Sequence, residues 1–319
     1  MMSGNNILFI APVFYDYQNL IIDKIRKNKD EVVFFPEKND GFLFKFLNTL
    51  NPKFIDFYQK IYFWFIIKKI KKLSLSHFFL IRGYKIPVFF LEFLRKNNPG
   101  IVMIMYQWDS NKNNHYYHIV DYFDNSYTFD QDDFNENKKL KFLQLFYTED
   151  ILRISTSKIE LKYDFFCFFS YTDERYESLI KLIKYCKSNN FSLFSFCYIP
   201  YSTFIKLKYI RGIELDRNLI SFKPMSRNKY VNYMEISETI VDFSNNAQSG
   251  LSMRIIEALG ANKKILTTNK SILSNPVCSL NQVSVLNLED IKFDNLDVPI
   301  KNHFISNLYI DNWLATIFS

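Results

Sequence analysis

The sequence is poor in glycine and cysteine, and it contains no long apolar run. Only 7 of its 319 residues are glycine, so a glycine next to a predicted helix stands out. The 4 cysteines lie far apart without a C-x-x-C pair, at Cys167, Cys186, Cys197 and Cys278. This pattern indicates reduced, mostly buried thiols in a cytoplasmic protein rather than a disulfide framework. No stretch of about 18 apolar residues occurs, so no membrane-spanning helix is expected.

The first residues also show no sign of an export signal. The start MMSGNNILFIAP runs directly into an apolar stretch, without the basic start or the cleavage site of a signal peptide. Together with the isolated cysteines, this start predicts a cytoplasmic location.

Length and composition favour two packed domains. A chain of 319 residues exceeds what one hydrophobic core usually serves. The composition is 48% hydrophobic and includes 34 Phe and 21 Tyr, which is ample for two cores. Short apolar runs alternate with helical patterns in both halves of the chain, and this alternation predicts doubly wound α/β domains. The predicted domains are residues 1–150 and 151–305, followed by a C-terminal helix at 306–319.

Positive charge is concentrated in one part of the sequence. The formal net charge is +7, and residues 45–72, the basic-aromatic segment, combine lysines with many aromatic side chains. In one interpretation this segment lies on the anionic inner membrane, with Phe63, Trp64 and Phe65 in the lipid and the lysines on lipid phosphates. In the other interpretation it is an ordinary amphipathic helix with core-facing aromatics and solvated lysines. Nucleic-acid binding is not predicted, because no helix-turn-helix, RRM-like or zinc pattern accompanies the lysines.

The most informative stretch is TIVDFSNNAQSGLSMRIIEALGANKKILTTN, residues 239–269. It predicts a strand, a polar loop, a helix from about Leu251 to Leu259 and a second strand, which together make a βαβ unit. Such units form parallel sheets that bind ligands at the carboxyl ends of their strands. Gly250 precedes the helix, where free N–H groups and the helix dipole favour an anion such as a diphosphate. Gly260 is predicted to cap the end of the helix.

The predicted helix has two faces with different roles. Helical periodicity places four apolar residues on the side that should face the sheet, namely Leu251, Ile255, Ala258 and Leu259. Gly250, Arg254 and Glu257 share another side. The guanidinium of an arginine suits phosphate oxygens, and a carboxylate one turn further on can accept hydrogen bonds from a ribose or sugar diol. The alternative is an exposed ion pair between Arg254 and Glu257 that binds no ligand.

This stretch resembles the donor-binding half of GT-B glycosyltransferases, especially of bacterial enzymes that build lipopolysaccharide, O-antigen or capsule. The matching positions are Asp242, 248–254, 257–260, 263–264 and 267–269. The resemblance implies an α/β GT-B fold, in which two Rossmann-like, doubly wound domains face a central cleft and the C-terminal helix crosses back to the first domain. It also implies a transferase that moves a sugar from a nucleotide-sugar donor to a lipid-linked, lipopolysaccharide or capsule saccharide acceptor.

The resemblance assigns donor binding to the second domain. The expected donor-binding residues are Tyr171, Arg175, Asp242, Gln248, Ser249, Gly250, Leu251, Arg254, Glu257 and Asn269. Arg254 is also expected to assist catalysis, because an arginine next to a helix terminus stabilises the charge on the departing phosphate. The expected donor is a UDP-sugar, with no required cofactor and no metal. The enzyme is expected to work at the inner face of the plasma membrane.

The first domain contributes the expected acceptor site. Residues 105–110, MYQWDS, end a predicted strand, and their Y-x-W-D-S form resembles the first domain of the same enzyme group, as do the F-D pairs further on. Aromatic rings stack on sugar C–H patches, and a carboxylate must take the proton of the acceptor hydroxyl in an inverting transfer. Asp109 is therefore the expected base. The expected acceptor-binding residues are Tyr106, Trp108, Asp109, Ser110, Asp124 and Asp130.

Two alternatives remain open at the level of sequence. Asp130 and Asp132 form a D-x-D triplet after apolar residues, the arrangement by which metal-dependent GT-A transferases hold a divalent ion on the nucleotide diphosphate. This alternative predicts loss of activity with EDTA. The second alternative is a non-catalytic, nucleotide-sugar-binding scaffold of a polysaccharide assembly complex, which predicts ligand binding without transfer.

Overall fold

The computed structural model of the protein describes residues 5–27, 30–39, 52–244, 248–274, 282–289 and 303–319. The chain divides into two compact units: unit 1 comprises Met1–Gln144 and Leu314–Ser319, and unit 2 comprises Leu145–Trp313. Each unit is built on a six-stranded sheet whose strands pair in parallel. The predicted α/β fold with two doubly wound sheets is confirmed. Within the described ranges, no helix combines the length and the apolar character needed to cross a membrane.

The strand order of unit 1 reverses its direction once. Its strands are β1 (Asn6–Ala11), β2 (Glu31–Pro36), β3 (His77–Ile81), β4 (Val102–Gln107), β5 (Asn125–Thr128) and β6 (Lys141–Phe142). Its described helices are α1 (Tyr17–Lys27), α2 (Pro52–Ile70), α3 (Val88–Asn97) and α4 (Gln131–Glu136). The strand order is β2-β1-β3-β4-β5-β6, so the chain turns to the other half of the sheet between β2 and β3. The switch point of this sheet therefore lies between β1 and β3.

The central strands of unit 1, β1, β3 and β4, are mostly apolar because the sheet is covered on both faces there. One face of β3 carries Phe78, which belongs to the same buried cluster as Phe63 of α2 and Phe90 of α3. The opposite face carries Phe79, whose ring lies 5.5 Å from the ring of Phe318 near the chain end. The period of two along the strand thus divides its side chains between two helical layers.

Helix α2 carries the described part of the basic-aromatic segment, whose residues 45–51 lie outside the described residues. Phe63 is fully buried in the core of unit 1, so its predicted contact with lipid is wrong. Trp64 and Phe65 are 54% and 58% exposed. They share the exposed side of α2 with further apolar and basic side chains, namely Phe54, Phe57, Lys60, Ile61, Lys68 and Lys69. The helix therefore has a packed side and an exposed side on which aromatic rings and lysines mix.

Unit 2 repeats the doubly wound arrangement. Its strands are β7 (Tyr163–Ser170), β8 (Leu193–Tyr198), β9 (Ile220–Ser221), β10 (Ser237–Asp242), β11 (Lys264–Thr267) and β12 (Val283–Val285). Its described helices are α5 (Glu149–Ile154), α6 (Asp173–Ser188), α7 (Tyr201–Ile210), α8 (Arg227–Glu235), α9 (Met253–Gly260) and α10 (His303–Asn307), and α11 (Ile310–Ile317) ends in unit 1. The strand order is β12-β11-β10-β7-β8-β9, which places the switch point between β7 and β10.

Three of the four cysteines lie in the core of unit 2. Cys167, Cys186 and Cys197 are buried, as the sequence predicted, and all three are free thiols. Burial raises the pKa of Cys186 to about 11 and that of Cys197 to about 12. Cys278, for which the same burial was predicted, lies outside the described residues. The three described thiols are therefore protonated packing residues at neutral pH.

Candidate functional site

The switch point of unit 2 gathers most of the predicted donor-binding residues. β7 and β10 are neighbours, and from them the chain runs to β8 on one side and to β11 on the other. In open parallel sheets the crevice at such a point, outside the carboxyl ends of the strands, is the usual ligand site. The described residues that border it here are those between β7 and α6, and residues 243–244 and 248–252 between β10 and α9.

Asp242 organises the loop that follows β10. Its side chain is only 1% exposed, and Oδ1 accepts hydrogen bonds from Ser252 Oγ at 2.9 Å and from Arg254 Nε at 2.8 Å. Oδ2 accepts a hydrogen bond from Thr267 Oγ1 at 3.0 Å. Asp242, predicted to contact the donor, therefore uses its carboxylate to join the end of β10 to β11 and to the start of α9.

The start of α9 has the features of an ordered helix terminus. Ser252 is the N-cap, and its Oγ accepts a hydrogen bond from the N–H of Ile255 at 3.4 Å. The preceding residues Gln248, Ser249 and Gly250 are half-buried, whereas Leu251 is buried. Asn269, just after β11, donates from Nδ2 to the carbonyl of Gly250 at 3.3 Å. The loop is thus fastened to the neighbouring strand at the helix end whose N–H groups favour an anion.

Two arginines converge on this switch point. Arg254 lies in the first turn of α9 and pairs with Asp242. Arg175 lies in the first turn of α6, and its Nε donates to the carbonyl of Phe243 at 3.0 Å. Burial, followed by the positive charge of Arg254, lowers the pKa of Arg175 to about 10. The carboxylates of Asp242 and Glu174 oppose this decrease, so the charges that act on Arg175 are of both signs.

Glu257 lies one turn further along α9, in a buried charge network. Its side chain is 1% exposed, and Oε1 accepts a hydrogen bond from Arg227 Nη1 at 2.5 Å. Arg227 also holds the carboxylate of Asp150 through Nε and Nη2, at 2.8 and 3.1 Å, and Thr148 Oγ1 at 2.9 Å. The alternative of an exposed ion pair between Arg254 and Glu257 is wrong, because both side chains are covered and each pairs with a different residue.

The end of α9 differs from the prediction. Gly260 is the last helical residue rather than the cap, and Ala261 takes the C-cap position. Asn262 has the left-handed φ of 60°, and the N–H groups of Asn262 and Lys263 donate back into the helix at 3.1 and 2.9 Å, as in a Schellman motif. Glycine is needed at 260 for a different reason: a Cβ there would overlap the ring of Tyr147.

Tyr171, the remaining predicted donor residue, is partly engaged within its own loop. Its hydroxyl donates to Asp173 Oδ1 at 2.7 Å, and Asp173 Oδ2 accepts from Arg211 at 2.8 Å. Burial and the adjacent Asp173 carboxylate raise the pKa of Tyr171 above its usual value. Tyr171 therefore borders the switch point as a neutral phenol.

Unit 1 places Asp109 at the carboxyl edge of its own sheet. Asp109 follows β4 and is about one-third exposed, and its Oδ2 accepts a hydrogen bond from Arg82 Nη1 at 3.3 Å. Trp108 is half-buried and packs edge-on against Tyr17, with ring centroids 5.6 Å apart. A carboxylate next to aromatic rings therefore stands where ligands of parallel sheets bind. Arg82 and its second partner, Glu37, had no distinguishing sequence motif.

Of the other predicted acceptor residues, three are buried and one lies at the opposite edge of the sheet. Tyr106 and Ser110 are buried, and the Tyr106 hydroxyl donates to the carbonyl of Leu143 at 2.9 Å. Asp124 precedes β5, at the amino edge of the sheet, where it pairs with Arg95 at 2.8 Å. Asp130 is buried as the N-cap of α4. Asp124 is therefore on the wrong side of the sheet to contact an acceptor at the carboxyl edge, whereas acceptor contact by Tyr106, Ser110 and Asp130 stays a prediction.

The D-x-D triplet is the start of a helix. Asp130 Oδ1 accepts hydrogen bonds from the N–H groups of Asp132 and Asp133 at 3.1 and 3.2 Å. Asp132 is half exposed and pairs with Lys112 at 3.4 Å. Asp130 and Asp132 therefore serve helix capping and surface pairing, and they do not converge on a common point. In the part of the chain that the structure describes, no group of three or more His, Cys, Asp or Glu side chains is arranged to hold a metal ion.

Comparisons with known proteins identify similar folds only. No family model matches the chain, and no curated protein is significantly similar to it in sequence. Among solved structures, a glycosyltransferase from Rickettsia africae ESF-5 has a TM-score of 0.54 at 12% identity, covering 90% of this chain and 86% of that one. The apo form of the lipopolysaccharide outer core galactosyltransferase WaaB has a TM-score of 0.53 at 12% identity, covering 97% of both chains.

A second group of similar structures consists of epimerases. The UDP-GlcNAc 2-epimerase from Neisseria meningitidis, solved with UDP-GlcNAc bound, has a TM-score of 0.52 at 9% identity, covering 89% of this chain and 87% of that one. At such identities the similarity concerns the fold. The chain has the two-sheet α/β fold that GT-B glycosyltransferases share with these epimerases.

Proposed function

We propose that the protein is a nucleotide-sugar-dependent glycosyltransferase that binds its donor at the switch point of unit 2. The observation that carries this proposal is the convergence of Arg175 and Arg254 on the carboxyl ends of β7 and β10, next to the start of α9. Two guanidinium groups and a helix N-terminus together suit a diphosphate. The two phosphates of a nucleotide sugar would accept hydrogen bonds from the two guanidinium groups, and a UDP-sugar is the donor class that we propose.

The proposed mechanism assigns one task to each unit. In unit 2, Arg254 and the start of α9 would stabilise the negative charge that develops on the departing nucleotide diphosphate. In unit 1, Asp109 would take the proton of the acceptor hydroxyl, because it is the partly exposed carboxylate that follows β4. The proposed acceptor is a lipid-linked, lipopolysaccharide or capsule saccharide. Asp242 and Asn269 would act on the donor indirectly, through the loop that they fasten.

Donor binding is tested with matched arginine variants. The wild-type protein is screened by thermal shift against UDP-, GDP-, dTDP- and CMP-linked sugars, because a ligand that binds only the folded state raises the melting temperature. Arg175→Gln and Arg254→Gln should each weaken the binding of the active ligand at least about tenfold, the loss expected for one charge-assisted contact. Arg153→Gln is the control, since Arg153 is an exposed arginine of unit 2 that pairs with Glu149 of its own helix. Equal affinity in all three variants would remove the proposed site.

The epimerase-like fold gives a second candidate function with the same donor site. An epimerase inverts a stereocentre of the donor sugar and needs no acceptor, whereas a transferase forms a glycoside and needs one. Chromatography of the sugar and nucleotide products, after incubation of a bound UDP-sugar with and without an octyl glycoside acceptor, therefore separates the two functions. A scaffold would bind the ligand and leave it unchanged. We favour transfer because the signature stretch resembles glycosyltransferases, and because Asp109 offers a base.

We further propose that the exposed side of α2 binds an anionic membrane surface. Its large apolar side chains, Phe54, Phe57, Ile61, Trp64 and Phe65, recur at helical spacing, and lysines lie among them. Exposed aromatic rings with adjacent lysines suit an interface of acyl chains and lipid phosphates. Such a location would bring the enzyme to a lipid-linked acceptor.

Vesicle sedimentation tests this second proposal. Vesicles that contain phosphatidylglycerol should bind the protein, and vesicles of phosphatidylcholine alone should bind it less, because the lysines favour anionic headgroups. The double variant Trp64→Ser/Phe65→Ser should lose binding. Tyr209→Ser is the control, since Tyr209 is an equally exposed aromatic residue of α7 in unit 2. Binding that survives in the α2 variant, or that the control also loses, contradicts the proposal.

A further inference from the structure

The carboxyl edge of the unit 1 sheet contains a cluster of three charged side chains. Glu37 follows β2, Arg82 follows β3 and Asp109 follows β4. Because parallel strands end at the same edge, residues from three distant parts of the sequence meet there. The guanidinium of Arg82 lies between the two carboxylates, so the cluster has a net charge of −1.

Arg82 uses two separate edges of its guanidinium. Nε donates to Glu37 Oε2 at 3.1 Å, and Nη2 donates to Glu37 Oε1, which makes a bidentate pair. Nη1 points the other way and donates to Asp109 Oδ2 at 3.3 Å. Because the guanidinium is planar and rigid, the two bonds from Nε and Nη2 to Glu37 also fix the direction of the N–H groups on Nη1. The orientation of the donor to Asp109 is thus set by Glu37.

Glu37 is a rigid anchor for this arrangement. It is 1% exposed, and its Oε2 also accepts a hydrogen bond from the N–H of Tyr84 at 3.0 Å. Its own N–H donates to the carbonyl of Ala11 at 2.9 Å, and its carbonyl accepts from Gln59 Nε2 at 2.8 Å. A buried carboxylate requires partners of this kind, and they hold both its backbone and its side chain in place.

The backbone of Arg82 is held in an uncommon conformation. Its φ is 65°, in the left-handed region that residues other than glycine rarely adopt. Its N–H donates to the carbonyl of Tyr106 at 2.9 Å, and its carbonyl accepts from Gln107 Nε2 and Asn114 Nδ2, both at 3.0 Å. Strained backbone persists where its surroundings determine it this fully, and such positions concentrate at functional sites.

We propose that Arg82 is a positioning residue that orients Asp109 for proton removal, with Glu37 as its anchor. The inference rests on the proposed function, since it assigns Arg82 a task only if Asp109 acts as the base. In this arrangement Glu37 fixes Arg82, and Arg82 fixes Asp109. The buried Glu37 carboxylate itself makes no contact with the substrate. Asp109, which is partly exposed, is the member that reaches the reacting hydroxyl.

Other charged groups near the cluster are paired among themselves. Lys85 pairs with Asp56 at 2.5 Å, and the ammonium groups of Lys38 and Lys85 lie 5.6 and 6.0 Å from the centre of the Tyr84 ring. The Arg82 guanidinium lies 6.0 Å from the same ring. Replacing Arg82 by a neutral residue would remove the positive charge next to the carboxylate of Asp109. The protonated form of Asp109 would then be favoured, and activity at low pH would fall.

The test is a double-mutant cycle on turnover. The variants are Arg82→Gln, Asp109→Asn and the double variant, with Glu37→Gln as a second way to release Arg82. The donor is the nucleotide sugar that the thermal-shift screen selects, and octyl glycosides of hexoses serve as acceptor probes. Arg95→Gln is the matched control, because Arg95 pairs with Asp124 at the amino edge of the same sheet. Turnover is measured as nucleotide release between pH 5 and pH 9 (roughly the range in which proteins stay folded).

A positioning role predicts a specific pattern. Arg82→Gln and Glu37→Gln should each lower kcat about 100-fold, the loss typical of a misplaced reacting group, while donor affinity stays unchanged. The acid limb of the pH profile should move to higher pH in Arg82→Gln and stay in place in Arg95→Gln. In the Asp109→Asn background, Arg82→Gln should cause little further loss, since the two residues act as one unit.

Each contrary result has its own meaning. Equal losses from Arg82→Gln in both backgrounds, or an unchanged pH profile, overturn the positioning role alone. If no nucleotide sugar binds the wild-type protein, the proposed function fails. If Asp109→Asn keeps full turnover, the transferase remains, but Asp109 is not its base and the positioning role of Arg82 is overturned as well. If Arg82→Gln does not fold, Arg82→Lys takes its place, because a single ammonium cannot hold both carboxylates in the same geometry.

Discussion

The variant Glu257→Ala tests whether the Glu257 side chain stabilises the fold of unit 2, apart from any contact with a donor. The resemblance to GT-B enzymes implies that this carboxylate holds the donor, so its loss should weaken donor binding. The structure adds a second consequence, because Glu257 is buried and pairs with the nearly buried Arg227 at 2.5 Å. Glu257→Ala would therefore remove one partner of a buried ion pair that joins α8 to α9.

The loss of stability in Glu257→Ala depends on which contacts Arg227 keeps. Removing one partner of a buried ion pair typically costs about 3–5 kcal/mol. Arg227 keeps its bidentate contact with Asp150 and its bond to Thr148, so the cost should lie at the lower end, about 3 kcal/mol. In a unit of this size each kcal/mol moves the melting temperature by about 2–4 °C, so a decrease of about 6–12 °C is expected.

Thermal unfolding without ligand measures this change. Glu257→Gln keeps the side-chain volume and an oxygen acceptor, so its melting temperature should fall by less. Glu238→Ala is the control, because Glu238 pairs with Lys264 at 2.8 Å on the surface of the same unit and should contribute about 0–1 kcal/mol. If Glu257→Ala melts at the same temperature as Glu238→Ala, the buried pair has no structural weight and the reasoning is wrong.

Three further changes test individual contacts. Gly260→Ala should destabilise unit 2 by about 1–3 kcal/mol in urea unfolding, because the added methyl group overlaps the ring of Tyr147. Asp130→Ala should lower stability by about 1 kcal/mol through loss of the helix cap, and EDTA should leave turnover unchanged; a decrease with EDTA would restore the metal-dependent alternative. Burial alone would raise the pKa of Asp150, but the hydrogen bonds and charge of Arg227 outweigh it and hold the pKa below its usual value. Asp150 should therefore stabilise unit 2 above about pH 4, and this stability should disappear as the pH falls further, a loss that Asp150→Asn should not show in acid unfolding curves.

The alternation of apolar runs and helical patterns predicted the two sheets. A strand that is buried on both faces is a short, nearly continuous apolar run, which is visible in the sequence. The βαβ unit at residues 239–269 was located well: β10, α9 and β11 occupy the predicted positions within about two residues. The reason is local. Strand composition, a capping serine and the apolar face of one helix are all encoded within about thirty residues.

Side-chain roles in unit 1 were predicted less well because a motif does not reveal its surroundings. Tyr106 belongs to an aromatic-polar strand end, yet the period of two turns its ring into the core. Asp124 follows an aromatic residue as Asp109 does, but it precedes a strand instead of ending one, and it therefore lies at the opposite edge. Asp130 has the composition of a metal ligand and the position of a helix cap.

The residues that the sequence did not distinguish are those whose partners are distant along the chain. Arg82 meets Glu37 and Asp109 across 45 and 27 positions, and Arg227 meets Asp150 across 77. A single arginine after a strand or at the start of a helix is common, and only the folded sheet shows which carboxylates it contacts. A buried cation can be inferred from sequence only when its counter-charges are known.

The chain enters and leaves unit 2 at neighbouring points. The N–H of Tyr147 donates to the carbonyl of Leu308 at 2.9 Å, and the N–H of Ile310 donates to the carbonyl of Tyr147 at 3.0 Å. These two hydrogen bonds hold the first and last residues of unit 2 next to each other. Unit 2 is thus one continuous stretch of sequence inserted between residue 144 and residue 314 of unit 1. Inserts with adjacent ends are suited to recombination, because either part can be exchanged without rerouting the other. On the proposed function, one continuous stretch of the gene encodes the whole donor site and can be exchanged as a unit.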